Sequence, residues 1–140
     1  MDWKNDLSGM FGGEGARLSR AQKEGVEFRM FLERVVMPAY MKVAEELTKY
    51  GREVVTRNTG VAASLTVRND GTEEVTFQVL KRSLPSGYMP FAEVRAKERK
   101  GLRVFKTETN LRKGTYSLND VTQDDVLDTF MKSYRAVFEG

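Results

Sequence analysis

The 140-residue chain contains neither histidine nor cysteine. Histidine is the commonest general base and shares with cysteine the role of usual zinc ligand, so this composition excludes His-based catalysis, thiol nucleophiles and His/Cys zinc sites. It also excludes disulfide bonds, which fits a reducing compartment. The remaining side chains form no recognisable catalytic motif, and we therefore expect no catalytic residues, no metal and no cofactor.

Long apolar runs are missing as well. Stretches such as Val35–Tyr40 are far shorter than the roughly 20 residues that cross a bilayer. The N-terminus carries early acidic residues and no apolar core of a secretory signal. With 40% hydrophobic and 31% charged residues, the composition is that of one soluble globular domain. We expect a cytoplasmic protein without membrane contact.

Residues 1–18 are predicted to form an N-terminal arm or flexible tail, followed by a single domain over 19–140. Trp3, Leu7 and Phe11 recur at helical spacing before Gly12-Gly13 interrupts the pattern. A tryptophan with apolar neighbours ahead of a flexible glycine hinge suits a segment that docks into a partner's groove. The alternative is an arm that packs on its own domain.

A long helix is predicted between Ser19 and Gly51. Ser19 has the form of an N-cap, with Gln22 at the third position of a capping box, and Gly51 falls where a left-handed C-terminal cap belongs. Pro38 lacks the backbone donor of a helix interior, so the helix should bend or split near it. The apolar stripe after Pro38 predicts four buried residues: Tyr40, Val43, Leu47 and Tyr50.

The helix half before Pro38 carries more apolar surface than a narrow stripe needs. Phe28 and Phe31 belong to this surplus, which the N-terminal arm or a second chain is expected to cover. Together with Trp3, Leu7 and Phe11, these two aromatic residues are our candidates for docking a protein partner.

From Glu53 onward the hydrophobic period changes to two, which predicts β-strands. The alternating segments cover 61–67, 75–79, 92–96 and 102–109, and Asp70-Gly71 supplies a hairpin turn that accepts positive φ. A second helix then follows Thr122 as N-cap. The prediction is an α+β fold: a long kinked N-terminal helix, a four- or five-stranded antiparallel meander, and a C-terminal helix packed on the same sheet face.

The net charge of +3 is unevenly distributed. Residues 53–118 hold twelve basic and seven acidic side chains, which is +5. On the predicted strand, Arg95, Lys97 and Arg99 share one face, with Phe91 at its end and Arg103 beyond the next turn. A basic sheet face with an aromatic residue is one way to hold nucleic acid or another anion. The alternative is a solvated face that keeps an edge strand soluble.

Two groups of acidic residues resemble metal sites. Glu98 and Lys100 match the acidic-x-Lys half of the PD-(D/E)xK nuclease pattern, with further acids at 70–74, but the triplet is short and recurs at Asp2 and Lys4. Four aspartates near the last helix are better explained as caps of a helix N-terminus: Asp120, Asp124, Asp125 and Asp128.

The runs FLERVVMPAYMKVAEELTKYGREV and FAEVRAKER resemble small uncharacterised bacterial α+β proteins, a similarity that covers residues 26 to 138. It implies a bacterial or phage origin and no particular activity. Our leading hypothesis is a small non-catalytic binding or adaptor module, inhibitor-like in kind, with a protein partner or a homodimer. The alternatives are a nucleic-acid-binding protein that uses the basic face and a metal-dependent nuclease.

Overall fold

The computed structural model describes residues 20–97 and 104–139. A helical stretch over residues 20–49, which we call α1, precedes five strands, one short 3₁₀ turn and a C-terminal helix. The later elements are β1 (Glu53–Asn58), β2 (Ala63–Asn69), β3 (Thr72–Leu84), β4 (Gly87–Lys97), β5 (Val104–Asn110), the 3₁₀ turn Leu118–Asp120 and α2 (Gln123–Glu139). The predicted N-terminal arm lies outside the described residues, and so does Ser19.

The predicted interruption of α1 takes the form of a π-helical segment, Leu32–Val36, followed by the α-helical Met37–Lys49. The N–H of Met37 donates to the carbonyl of Leu32, five residues back, just before Pro38 removes a donor. In an α-helix each four-residue step overshoots one turn by about 40°. Because a π turn holds more residues, it reverses this drift and keeps Phe28 and Tyr40 on one buried face.

The C-terminus of α1 confirms the glycine cap and corrects two burial predictions, since Leu47 is only partly buried against the core. Gly51 has a φ of 80°, and the N–H groups of Gly51 and Arg52 donate to the carbonyls of Thr48 and Leu47. Tyr50 was predicted to be buried but is 71% exposed. The prediction was wrong because Tyr50 is the C-cap residue and has left the helical phase that buries Val43.

The sheet is a five-stranded antiparallel meander in the order β1-β2-β3-β4-β5. Asp70 and Gly71, both with positive φ, form the predicted β2–β3 turn. In contrast to the predicted strand 61–67, β2 begins only at Ala63, and Val61 is 74% exposed in the preceding turn. The α+β fold class is confirmed.

Both helices pack on the same face of the sheet, as predicted. The Phe77 ring on β3 lies edge-on to Tyr40 of α1, at 6.1 Å, and to Phe130 of α2, at 5.6 Å. The hydroxyl of Tyr40 donates to the carbonyl of Ala63 at 2.9 Å, which ties α1 to β2. Burial of the Tyr40 hydroxyl raises its pKa well above the usual value.

Phe28 and Phe31 are buried in this hydrophobic core. The Phe28 ring contacts Phe31 at 6.1 Å and Tyr88 of β4 at 6.4 Å. Two of the five docking candidates therefore present no free surface, and the other three lie outside the described residues.

None of the described helices is long and apolar enough to span a membrane.

Candidate functional site

An open groove lies between α2 and the outer strands of the sheet. The helix packs over β3 through Phe130, so the inner side of the edge strand β5 is left uncovered. The space has a volume of about 380 Å³, in the range of small-molecule ligand sites. Its floor and its helical wall are formed by Val94, Ala96, Lys97, Phe105, Thr107, Thr109, Lys132, Ser133, Ala136 and Val137.

The groove combines apolar surface with positive charge. Phe105 is 47% exposed on its floor, and Ala136 is exposed on its wall. Lys132 is exposed on the helical wall, and none of the described residues that line the groove is acidic. The site can therefore cover an apolar group of a ligand and attract negative charge beside it.

Polar contacts at both ends of α2 hold the helical wall in place. At the C-terminal half, the Tyr134 hydroxyl donates to Glu74 Oε1 at 2.9 Å, and Arg52 Nε donates to the same oxygen at 3.2 Å. Burial and the adjacent carboxylate of Glu74 raise the pKa of Tyr134. The cluster fixes α2 against the bulged start of β3, where Glu74 is the extra residue.

At the N-terminus of α2, Thr122 and Asp125 form a reciprocal capping box, with bonds of 2.9 and 3.2 Å. Asp125 also accepts a hydrogen bond from Arg112 at 3.1 Å. Burial alone would raise the pKa of Asp125, but the hydrogen bonds from Thr122 and Arg112 outweigh it and hold the pKa below its usual value. Asp120 caps the 3₁₀ turn in the same way through Ser117.

These contacts account for two of the four aspartates as caps. In the part of the chain that the structure describes, no group of three or more acidic side chains could hold a metal ion. Glu98 and Lys100, the nuclease candidates, lie outside the described residues. Upstream, Glu74 is held by Arg52 and Tyr134, while Glu73 accepts a hydrogen bond from Thr76.

The sheet face opposite the helices carries the predicted basic residues. Arg95 and Lys97 are exposed, and Ala96 between them is buried, as the alternation indicated. Arg99 and Arg103 lie outside the described residues. Phe91 is only 8% exposed, because the guanidinium of Arg82 lies 4.3 Å from its ring. The ring is therefore not free to stack on a base.

Acidic side chains lie between the basic residues on this sheet face, which no described helix covers and which we call the open face. Lys106 Nζ lies 3.4 Å from Glu93 Oε2, and Arg82 Nη2 lies 2.6 Å from Glu108 Oε2. Arg95 has no salt-bridge partner among the described residues and stands opposite Lys106 in the strand register. The described part of the face thus alternates in sign instead of forming one basic stripe.

The groove was not predicted from the sequence, although a weak signal exists. The inward positions of β5 read Phe105, Thr107 and Thr109, so an aromatic residue is followed by two hydroxyls where a covered strand would continue with aliphatic residues. On α2, Ser133 and Ala136 are small. Small and hydroxylated residues on two facing elements leave space between them.

A comparison with protein-family models, curated proteins and solved structures finds no match for the chain.

Proposed function

We propose that the protein is a non-catalytic binding module that holds an acidic, partly apolar segment of a protein partner in the groove between α2 and β5. The observation that carries this proposal is that an exposed aromatic floor, Phe105, lies beside an exposed lysine, Lys132, with no acidic residue among the lining side chains. The lack of cysteine favours a cytoplasmic site of action.

Charge and shape select the class of ligand. An apolar side chain of the partner can cover Phe105, which is now about half exposed to water. Carboxylates beside that side chain would lie near Lys132 on the helical wall. Thr107 and Thr109 add hydroxyls on the groove floor that can bond a peptide backbone.

The test begins with selection of peptides from a randomised display library against the full chain. We expect enrichment of sequences that combine aspartate or glutamate with large apolar residues. A selected peptide is then titrated against the wild type and against two charge reversals on α2. Lys132→Glu alters the groove, whereas Arg135→Glu changes the same charge on the same helix at a residue that does not line it.

Lys132→Glu should weaken the peptide about tenfold, since an attraction and the repulsion that replaces it are each worth roughly 0.5–1 kcal/mol at an exposed site. Arg135→Glu should change the affinity less than about threefold by the same reasoning. Equal affinities of both variants for the peptide would contradict the proposal, as would enrichment of basic peptides.

Nucleic-acid binding through the open sheet face is the second candidate. It is supported by the exposed Arg95 and Lys97 on a face that no described helix covers. Binding of single-stranded DNA should then fall steeply with salt and should be lost in the double variant Arg95→Glu/Lys97→Glu. Salt-independent binding, or none, would leave the groove as the functional surface.

A further inference from the structure

β5 is the outer strand of the sheet, and within the described chain β4 is its one strand neighbour. Its outward N–H and C=O groups are therefore available to pair with another strand. Its side chains are largely exposed, including Val104 at 51% and Phe105 at 47%. An exposed edge strand of this kind pairs readily with a strand of another molecule, unless its charged side chains repel that strand.

The charges on β5 are complementary to a second copy of the same strand. In an antiparallel pair centred on Thr107, Lys106 of each copy stands opposite Glu108 of the other. Phe105 stands opposite Thr109, so the aromatic ring gains a neighbour on the inner side. Opposite charges directly across two strands stabilise such a pair.

Among registers that pair at least five residues of each β5 strand, only this one satisfies both faces of the sheet. A slip of one residue would place inner side chains opposite outer ones. A slip of two residues would place Lys106 opposite Lys106, or Glu108 opposite Glu108, which is repulsive. The strand therefore specifies its own pairing.

We propose that two copies of the chain associate through β5, antiparallel and centred on Thr107, to form a continuous ten-stranded sheet. The two-fold axis runs perpendicular to the sheet, so the helices of both copies lie on one side and the two grooves become neighbours. The internal ion pairs do not prevent this contact, because the side chains of Lys106 and Glu108 remain 57% and 54% exposed. The proposal is independent of the ligand proposed for the groove.

β1 is the other edge strand, and its sequence also allows a pairing centred on Val55, with Glu53 opposite Arg57. Two observations favour β5. It is longer, with seven residues against six, and its inner face is not covered by a helix, whereas Val54 and Thr56 on the inner face of β1 are partly buried. Association of β5 therefore removes more apolar surface from water.

The absence of cysteine permits a direct test with the full chain. Thr107→Cys places two thiols at the two-fold axis, where facing Cα atoms lie about 4.5–5.5 Å apart, within the range that a disulfide spans. Val55→Cys is the matched control on the other edge. After mild oxidation, Thr107→Cys should migrate as a dimer on a non-reducing gel and Val55→Cys as a monomer. The reverse pattern, or no crosslink in either variant, would overturn the proposal.

Light scattering gives a second readout that does not depend on new thiols. The wild type should show twice the chain mass of 15.9 kDa. Lys106→Glu puts two carboxylates opposite each other in both symmetry-related pairs and should weaken the dimer at least about tenfold, while Lys106→Glu/Glu108→Lys should restore it. A monomeric wild type at micromolar concentration, or failure of the double variant to recover, would contradict the β5 interface.

Discussion

Phe77 on β3 contacts an aromatic side chain of each helix, so its truncation tests how much this packing contributes to stability. The ring is fully buried and contacts Tyr40 and Phe130 edge-on. Replacing a buried phenylalanine by alanine costs about 3–5 kcal/mol, from the lost transfer free energy and the cavity left behind. Because both aromatic contacts are lost together, we expect Phe77→Ala to lower the free energy of unfolding by about 4 kcal/mol.

The same fold provides a matched control. Phe105 is also a phenylalanine on the inner face of the sheet, but it is 47% exposed. Phe105→Ala leaves no closed cavity and should cost about 1 kcal/mol or less. If β5 pairs between copies as proposed, the control is read at a concentration where the chain is monomeric.

Urea unfolding followed by circular dichroism measures both free energies. For 140 residues, an unfolding entropy near 2.1 cal/mol/K per residue converts 4 kcal/mol into a fall of about 14 °C in melting temperature. Equal losses for Phe77→Ala and Phe105→Ala, or a loss below about 1 kcal/mol for Phe77→Ala, would refute the packing of both helices on this ring.

Two further predictions concern single polar contacts. Tyr40→Phe leaves the carbonyl of Ala63 without its 2.9 Å donor and should lower the free energy of unfolding by about 1–2 kcal/mol in the same urea assay; an unchanged midpoint would contradict it. Asp125 has a lowered pKa, so its ionised form stabilises the fold above the unfolded-state pKa of about 3.9, and this contribution disappears as the pH falls through the folded-state pKa. Asp125→Asn should therefore reduce the melting temperature at pH 7, with a difference from the wild type that shrinks below about pH 4; an equal difference at pH 7 and pH 3 would show that the carboxylate is not responsible.

Local chemistry made much of the fold predictable. The Asp70-Gly71 turn and the Gly51 cap depend on backbone conformations that few residues adopt, so the sequence marks them clearly. The core positions of β3 and α2 followed from hydrophobic period alone, since Phe77 and Phe130 lie on regular stripes.

The features that escaped prediction depend on how elements sit against one another. Pro38 predicted an interruption of the helix, but the sequence did not indicate its form. The helix continues through a π segment and does not break, because this keeps Phe28 and Tyr40 on the same helix face, packed on the sheet. The groove depends on where α2 crosses the sheet, and no local pattern encodes that position. Phe91 alternates onto the open face as predicted, yet the contact with Arg82 that covers it joins two different strands.

The neighbour-to-neighbour strand order has a kinetic consequence. Because each strand pairs with the next one in sequence, every pairing in the sheet closes a short loop and costs little chain entropy. The helices close far longer loops: Tyr134 meets Glu74 across 60 residues, and Tyr88 meets Glu24 across 64. Hairpins form in roughly 1–10 μs. The hairpins of the sheet should therefore form first, and the slower docking of the two helices onto the sheet should set the folding rate.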